Sequence, residues 1–338
     1  MATASEPPAK RPREMSLYEK MTQSGRPLLF DGEVGGGLRK RLSNDVSTKL
    51  TPASILLDAP HHVRELHLEY INSGSQIITT NTYAAVRQRM KELLGMGERW
   101  EEAVDTACAM AKEAREKSGK DVLIAGTLPP LHGSYKPAGV GEMERIVPVY
   151  EEHVARMESH VDVFICETMS TAKEAWAAAS AAKKSRRPVW VSWCIKDDCS
   201  GLLRSGETLQ QAWEVLAPLA PEGVFVNCCS PESITAALPH LAKMGPKIYG
   251  GWGNGFSAIP ENWRVEQGGI AALGKRRDLT PEVYTKQAEG WLKAGAFAIG
   301  GCCEVGPEYI ASMRKMMDDL ESEKETHSTS DDNPPPSG

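Results

Sequence analysis

Cys302 and Cys303 stand side by side in Gly300-Gly301-Cys302-Cys303, directly after an apolar run, and Cys228 stands far upstream in Asn227-Cys228. Adjacent cysteines pair poorly with each other. They can instead share one soft metal ion with a third cysteine that the fold brings in. Three protein thiolates with one open position make a catalytic zinc arrangement rather than a closed structural one. A substrate thiol suits the fourth position. Gly300 and Gly301 permit the close backbone approach that lets two consecutive cysteines face one ion.

The elements that must position these thiols read as an alternation. Mostly apolar runs at 27–31, 76–80, 122–126, 161–167, 188–195, 223–227, 247–251 and 296–300 predict strands buried on both faces, as in a parallel sheet. Amphipathic patterns predict helices over 61–73, 98–118, 142–160, 171–184, 208–219, 231–244, 281–293 and 308–320. Ser170-Thr171, Ser230-Pro231 and Thr280-Pro281 supply caps or a first-turn proline. Eight β/α units predict an α/β fold, a single (β/α)8 TIM barrel, with an open doubly wound sheet as the alternative. No Gly-x-Gly-x-x-Gly follows the first strand, which argues against dinucleotide binding. Barrel active sites lie at the C-terminal strand ends. Asp31, Thr80-Asn81-Thr82, Glu167, Cys228 and Cys302-Cys303 all fall there.

The chain has 338 residues, 41% of them hydrophobic and 25% charged, which suits one large soluble domain. Residues 1–20 read as a flexible extension, 21–320 as the barrel, and 321–338, acidic and ending Pro-Pro-Pro-Ser-Gly, as a disordered tail. Lys10-Arg11-Pro12-Arg13 is read as part of a soluble tail rather than a nuclear address. The net charge of −6 gives no footprint for nucleic acid, and no apolar run approaches the ~20 residues that span a bilayer. With eight cysteines and no signal-peptide core, a reducing, cytoplasmic setting is expected. Nothing in the sequence fixes an oligomeric state.

Asp31-Gly32, Thr79-Thr80-Asn81-Thr82, Cys166-Glu167-Thr168, Val226-Asn227-Cys228 and Gly300-Gly301-Cys302-Cys303, in this order, resemble the homocysteine S-methyltransferase family from about Pro27 to Leu320. The resemblance implies a zinc-dependent barrel that methylates homocysteine to methionine. By it, Cys228, Cys302 and Cys303 are the Zn2+ ligands and Glu167 anchors the homocysteine ammonium, with Asp31 beside it. Gly32, Thr80, Asn81, Asn254, Tyr135, Trp193 and Trp252 are further substrate-site candidates. Trp190, Trp193 and Trp252 invite an aromatic cage for a cationic donor, because cation–π attraction grows on desolvation. Cys229 reads as a bystander thiol, and His61, His62 and His67 as a helix end rather than a second metal site.

Three positions depart from the family pattern: Gly36 replaces a common Thr within a mobile Gly35-Gly36-Gly37, Trp252-Gly253-Asn254 replaces a Tyr-Pro-Asn-like segment, and Glu304-Val305-Gly306 follows the cysteine pair. The methylfolate route needs cofactor domains for which the chain has no room, and betaine enzymes of the family carry a longer C-terminal segment. A sulfonium donor is therefore expected, S-methylmethionine or S-adenosylmethionine. The alternatives are betaine or a dimethylsulfonium donor, and selenocysteine as acceptor. A different class of reading is a zinc or thiol redox sensor on the same barrel. Glu167 and Asp31 speak against that one, since a sensor needs no amine anchor beside its metal.

Overall fold

The computed structural model describes residues 14–42, 51–260, 263 and 273–330. Eight parallel strands form one sheet: β1 (Leu28–Leu29), β2 (Ile77–Thr79), β3 (Leu123–Leu128), β4 (Val163–Met169), β5 (Val189–Cys194), β6 (Gly223–Asn227), β7 (Tyr249–Gly253) and β8 (Ala298–Gly301). Their order is β1-β8-β7-β6-β5-β4-β3-β2, and a parallel bridge from Phe30 to Ile77 joins the two ends. The sheet is thus closed into the expected TIM barrel.

The expected helices form as α4 (His61–Asn72), α6 (Trp100–Ser118), α7 (Met143–Met157), α8 (Ala172–Ala182), α9 (Leu209–Leu216), α10 (Pro231–Lys243), α11 (Pro281–Lys293) and α12 (Pro307–Ser330). Thr171, Ser230 and Thr280 each accept a backbone N–H as N-caps. This satisfies a donor the first turn would otherwise leave orphaned. Four helices were not expected: α1 (Leu17–Gln23), α2 (Val34–Leu42), α3 (Pro52–Asp58) and α5 (Arg87–Leu94). α2 contains the triglycine, so Gly35, Gly36 and Gly37 are helical rather than a mobile loop. Each glycine costs about 1 kcal/mol of propensity, which hides the helix from a reading by periodicity. Burial of Leu38 and Leu42 compensates.

The tail boundaries also move. α1 begins inside the expected 1–20 extension and α12 runs ten residues beyond 320, carried by its Glu- and Lys-rich sequence. Residues 1–13, with Lys10-Arg11-Pro12-Arg13, and 331–338 lie outside the described residues.

Two cores result. Between strands and helices lies a continuous layer that includes Val191, Trp193 and Cys229. Inside the barrel, Leu28, Phe30, Ile165, Trp190, Phe225 and Trp252 fill the axis. Tyr18 of α1 plugs the N-terminal end, its hydroxyl accepting the Trp190 indole N–H at 3.1 Å. From there Trp190, Phe225 and Trp252 stack upward with centroids 5.4 Å apart at each step. The floor beneath the C-terminal strand ends is therefore aromatic. Among the described residues no helix is long and apolar enough to cross a membrane.

Candidate active site

A cavity of about 600 Å³ opens at the C-terminal end of the barrel. Asp31, Gly32, Thr80, Asn81, Tyr135, Glu167, Trp252 and all three cysteines line it. The ligand atoms of Cys228, Cys302 and Cys303 lie within 4.8 Å of one another, and no other cluster of metal-ligating side chains occurs among the described residues. Cys302 Sγ is 3.3 Å from Cys228 Sγ.

The backbone explains how the thiols converge. A β-carbon at Gly300 would lie 2.5 Å from Phe30 Cβ, and one at Gly301 would lie 2.2 Å from Val305 Cγ1. Only glycine fits between the neighbouring strand and the returning turn. Tyr284 of α11 binds the ends of β7 and β8 together, accepting from Gly253 N at 2.8 Å and donating to Gly300 O at 2.8 Å. Cys302 N then donates to Gly253 O at 2.9 Å. Cys228 adopts φ 56°, a left-handed conformation that side chains avoid, and its N–H donates to Trp252 O at 3.1 Å.

As three thiols the cluster shares its protons unevenly. Hydrogen bonds from Cys228 and Cys302 pull the Cys303 thiol down to about 6. Cys228 and Cys302 are held well above the ordinary thiol range. A single soft cation would replace that proton sharing and ionise all three, so the donor set fits a thiophilic metal.

Glu167 lies near the end of β4, where the register shifts between Cys166 and Met169, and is half-buried, facing the cavity. Burial, with the nearby Cys228 charge, raises its pKa to about 7, and the Trp252 indole N–H, 3.4 Å from Oε1, opposes the rise. Asn227 fixes the backbone after Glu167: its Oδ1 accepts from Thr168 N at 3.1 Å and from Ser192 Oγ at 2.7 Å, and its Nδ2 donates to Thr168 Oγ1 at 2.9 Å. Asp31 is buried, and burial raises its pKa well above the carboxylate range despite two donors from Thr79. Thr79 N donates to Oδ2 at 2.8 Å.

The other candidates divide. Thr80 and Asn81 line the cavity, but Thr80 Oγ1 accepts from Thr127 N at 3.1 Å and Asn81 Nδ2 donates to Pro52 O at 3.2 Å. Thr80 thus spends its hydroxyl on the scaffold, whereas Asn81 commits only its Nδ2 and keeps Oδ1 for the cavity. Tyr135 lies closer to the chemistry than expected, with its hydroxyl 2.8 Å from Cys228 Sγ. Trp252 forms part of the wall, whereas Trp193 does not reach the cavity. On β5 the side chains of Trp190, Ser192 and Cys194 point inward, so Trp193 by alternation points outward. Trp190 lies deep on the axis beside Tyr18. The three-tryptophan cage is thus corrected to Trp252 alone. Asn254 is also outside the lining; its amide is buried without a partner among the described residues. Cys229 faces the helix layer, as a bystander should. His61 and His62 stack at 4.1 Å at the start of α4, and His67 is buried in the fold.

Sequence reasoning gave no role to Asn227, Tyr284, Glu33 or Arg39. The last two line the cavity. Asn227 had a signal in its place beside Cys228; Tyr284, on a distant helix, had none.

A family model described as homocysteine S-methyltransferase matches residues 28–317. Homocysteine S-methyltransferase of Escherichia coli (strain K12) is 29% identical over 308 residues, covering 85% of this chain and 94% of that one. Selenocysteine methyltransferase of Astragalus bisulcatus is 25% identical, covering 89% and 95%. Betaine-homocysteine S-methyltransferase of Drosophila melanogaster is 26% identical, covering 90% and 99%. The metallated crystal form of the Escherichia coli homocysteine methyltransferase MmuM superposes with a TM-score of 0.71 at 23% identity, covering 89% of this chain and all of that one, and shares the fold. The chain belongs to the homocysteine S-methyltransferase family.

Proposed function

We propose that this protein transfers a methyl group from a sulfonium donor, S-methylmethionine or S-adenosylmethionine, to the sulfur of homocysteine, giving methionine. The observation that carries the reading is the convergence of Cys228, Cys302 and Cys303 within 4.8 Å on a cavity that also exposes Glu167. Zinc held by the three cysteines would supply the ionisation of the substrate thiol, which at its ordinary pKa of ~8.5 is mostly protonated at neutral pH.

The remaining work falls to the chain. Glu167, as carboxylate, receives the substrate ammonium and so fixes which end of homocysteine faces the cysteines. Asp31, hydrogen-bonded by Thr79, holds the β1 and β2 ends together at the same wall. Trp252 is the aromatic ring at the cavity wall against which a cationic donor would lie, and Phe30, at 4.5 Å, packs on it from the barrel axis. Substrate sulfur, donor methyl and leaving sulfur must lie in line: the new carbon–sulfur bond forms as the old one breaks, and the leaving thioether departs neutral. A rigid barrel rim supports such alignment.

The test is a donor screen with homocysteine on the zinc-loaded enzyme, reading methionine formation from S-methylmethionine, S-adenosylmethionine, betaine and dimethylsulfonium compounds. Turnover with a sulfonium donor is expected. Turnover with betaine alone would overturn the donor assignment. Selenocysteine is the second acceptor to include, because the Astragalus relative carries that name. X-ray absorption should show sulfur from homocysteine joining the metal; four protein ligands unchanged by homocysteine would overturn the mechanism.

A further inference from the structure

Cys228 is the member of the cluster with a hydroxyl against its sulfur, that of Tyr135 at 2.8 Å. The Tyr135 backbone is at φ 62° and the Cys228 backbone at φ 56°. Left-handed residues of this kind are strained and persist only where their surroundings over-determine them. Both are held by one buried ion pair. The Arg204 guanidinium lies over the Tyr135 ring, 5.3 Å from Cζ to the centroid. Its Nη2 donates to Asp197 Oδ2 at 2.9 Å and its Nη1 donates to Ile259 O at 3.2 Å. The two side chains are 7% and 4% exposed. Asp197 Oδ1 in turn accepts from Ser230 N at 2.6 Å, two residues beyond Cys228. One arm of the pair therefore braces the ring that touches Cys228, and the other braces the loop that carries it.

We propose that Tyr135 is the hydrogen-bond partner of the metal-ligating Cys228 thiolate, and that Asp197 and Arg204 are the positioning pair that sets both. The inference rests on the zinc reading above. A thiolate has no proton to give, so the hydroxyl must donate, and a charge-assisted bond of this kind is stronger than a neutral one. The bond fixes the direction of Sγ and draws charge from it. Among the described residues no hydroxyl is bonded to Cys302 or Cys303 Sγ, so the cluster is asymmetric: Cys228 is the anchored ligand.

The experiment compares wild type, Tyr135→Phe, Arg204→Met and the double variant. Zinc affinity is read by competition with a chromophoric chelator, and the thiolate-to-metal charge-transfer band is read on the cobalt-substituted proteins. Tyr135→Phe keeps the ring and removes only the hydroxyl. It should weaken zinc binding about 10–100-fold, the usual cost of losing an outer partner of a metal ligand. It should also move the band to lower energy, since the sulfur lone pair is no longer stabilised. Arg204→Met should act in the same direction, and the double variant should be less than additive because both act through Cys228. Wild-type affinity with an unshifted band in Tyr135→Phe would overturn the proposal, and that variant decides alone if Arg204→Met does not fold. A wild-type protein with no thiolate charge-transfer band on cobalt loading would instead sink the zinc reading itself.

Discussion

Glu304 Oε2 lies 2.8 Å from the Lys40 ammonium, joining the turn after Cys303 to helix α2. The same ammonium reaches Glu33 Oε2 at 3.2 Å. Glu33 can fold back to it only because residue 36 is glycine: a β-carbon there would fall 1.6 Å from Glu33 Oε1. Two departures from the family pattern, Gly36 and Glu304, thus belong to one bridge beside the cavity wall that Glu33 and Gly36 form. Lys40 is largely exposed, so the ion pairs themselves contribute little. The steric fit of Glu33 beneath α2 is the stronger constraint.

That fit gives the first prediction. Gly36→Ala should destabilise the protein by about 1–3 kcal/mol through overpacking, despite the better helix propensity of alanine. In a Glu33→Ala background the same substitution should be neutral or stabilising. Urea unfolding of the four proteins measures the coupling; additive effects would refute the contact.

The barrel itself was legible because parallel strands buried on both faces read as apolar runs, and because caps such as Thr171, Ser230 and Thr280 mark helix starts locally. The three thiols were legible for the same reason: each follows a strand end, and strand ends meet in a closed barrel. The cage was not. Whether a tryptophan faces in or out depends on strand register, and one residue of offset sends Trp193 to the helices while Ser192 points to Asn227. Tyr135 was only partly legible, because its place depends on a loop after β3 whose path is set by Arg204, 69 positions away in sequence.

The second prediction concerns Glu167. Burial and the nearby Cys228 raise its pKa to about 7, so the anionic anchor is lost as pH falls through that value. An ammonium ligand needs the carboxylate, so kcat/KM for homocysteine should fall as pH drops through about 7. Glu167→Gln should flatten that limb and raise KM by about one to two orders of magnitude, consistent with a lost charge-assisted contact of ~1.5–3 kcal/mol. An unchanged limb in the variant would assign the titration to another group.

Third, Cys302→Ala should abolish stoichiometric zinc binding and turnover together, since two thiolates do not complete the donor set. Elemental analysis after dialysis and a methionine assay check both. Full activity in this variant would remove Cys302 from the ligand set. Cys229→Ala, facing the helix layer, should retain metal and activity.

Fourth, Glu174 of α8 is buried, and burial raises its pKa to about 7 against a single donor, Ser170 N at 3.0 Å. A carboxyl whose folded pKa is raised holds its proton more tightly in the native state than in the unfolded chain. Stability is then greatest below the unfolded value of about 4.5, falls as pH rises from there through 7, and levels off above. Glu174→Gln keeps an acceptor for Ser170 and removes the charge. It should recover on the order of 1–3 kcal/mol at pH 8 and nothing at pH 4. Unfolding free energies at the two pH values test this, and an equal effect at both would exclude titration as the cause.

The fifth prediction separates stability from chemistry along the barrel axis. Tyr18 caps the N-terminal end by accepting the buried Trp190 N–H, and Trp190 packs on Phe225 and Phe30. Tyr18→Phe keeps the ring and leaves that N–H without its acceptor, a loss of about 1–3 kcal/mol. Tyr18→Ala adds the loss of packing of a half-buried ring and should cost more than Tyr18→Phe, about 2–4 kcal/mol. Neither should change zinc affinity or the KM for homocysteine, because Trp252 at the upper end is braced by Phe30 and Phe225 rather than by Trp190. Thermal unfolding and steady-state kinetics on both variants check the claim. A shift in KM at constant folded fraction would mean that the aromatic column transmits strain from the bottom of the barrel to Glu167.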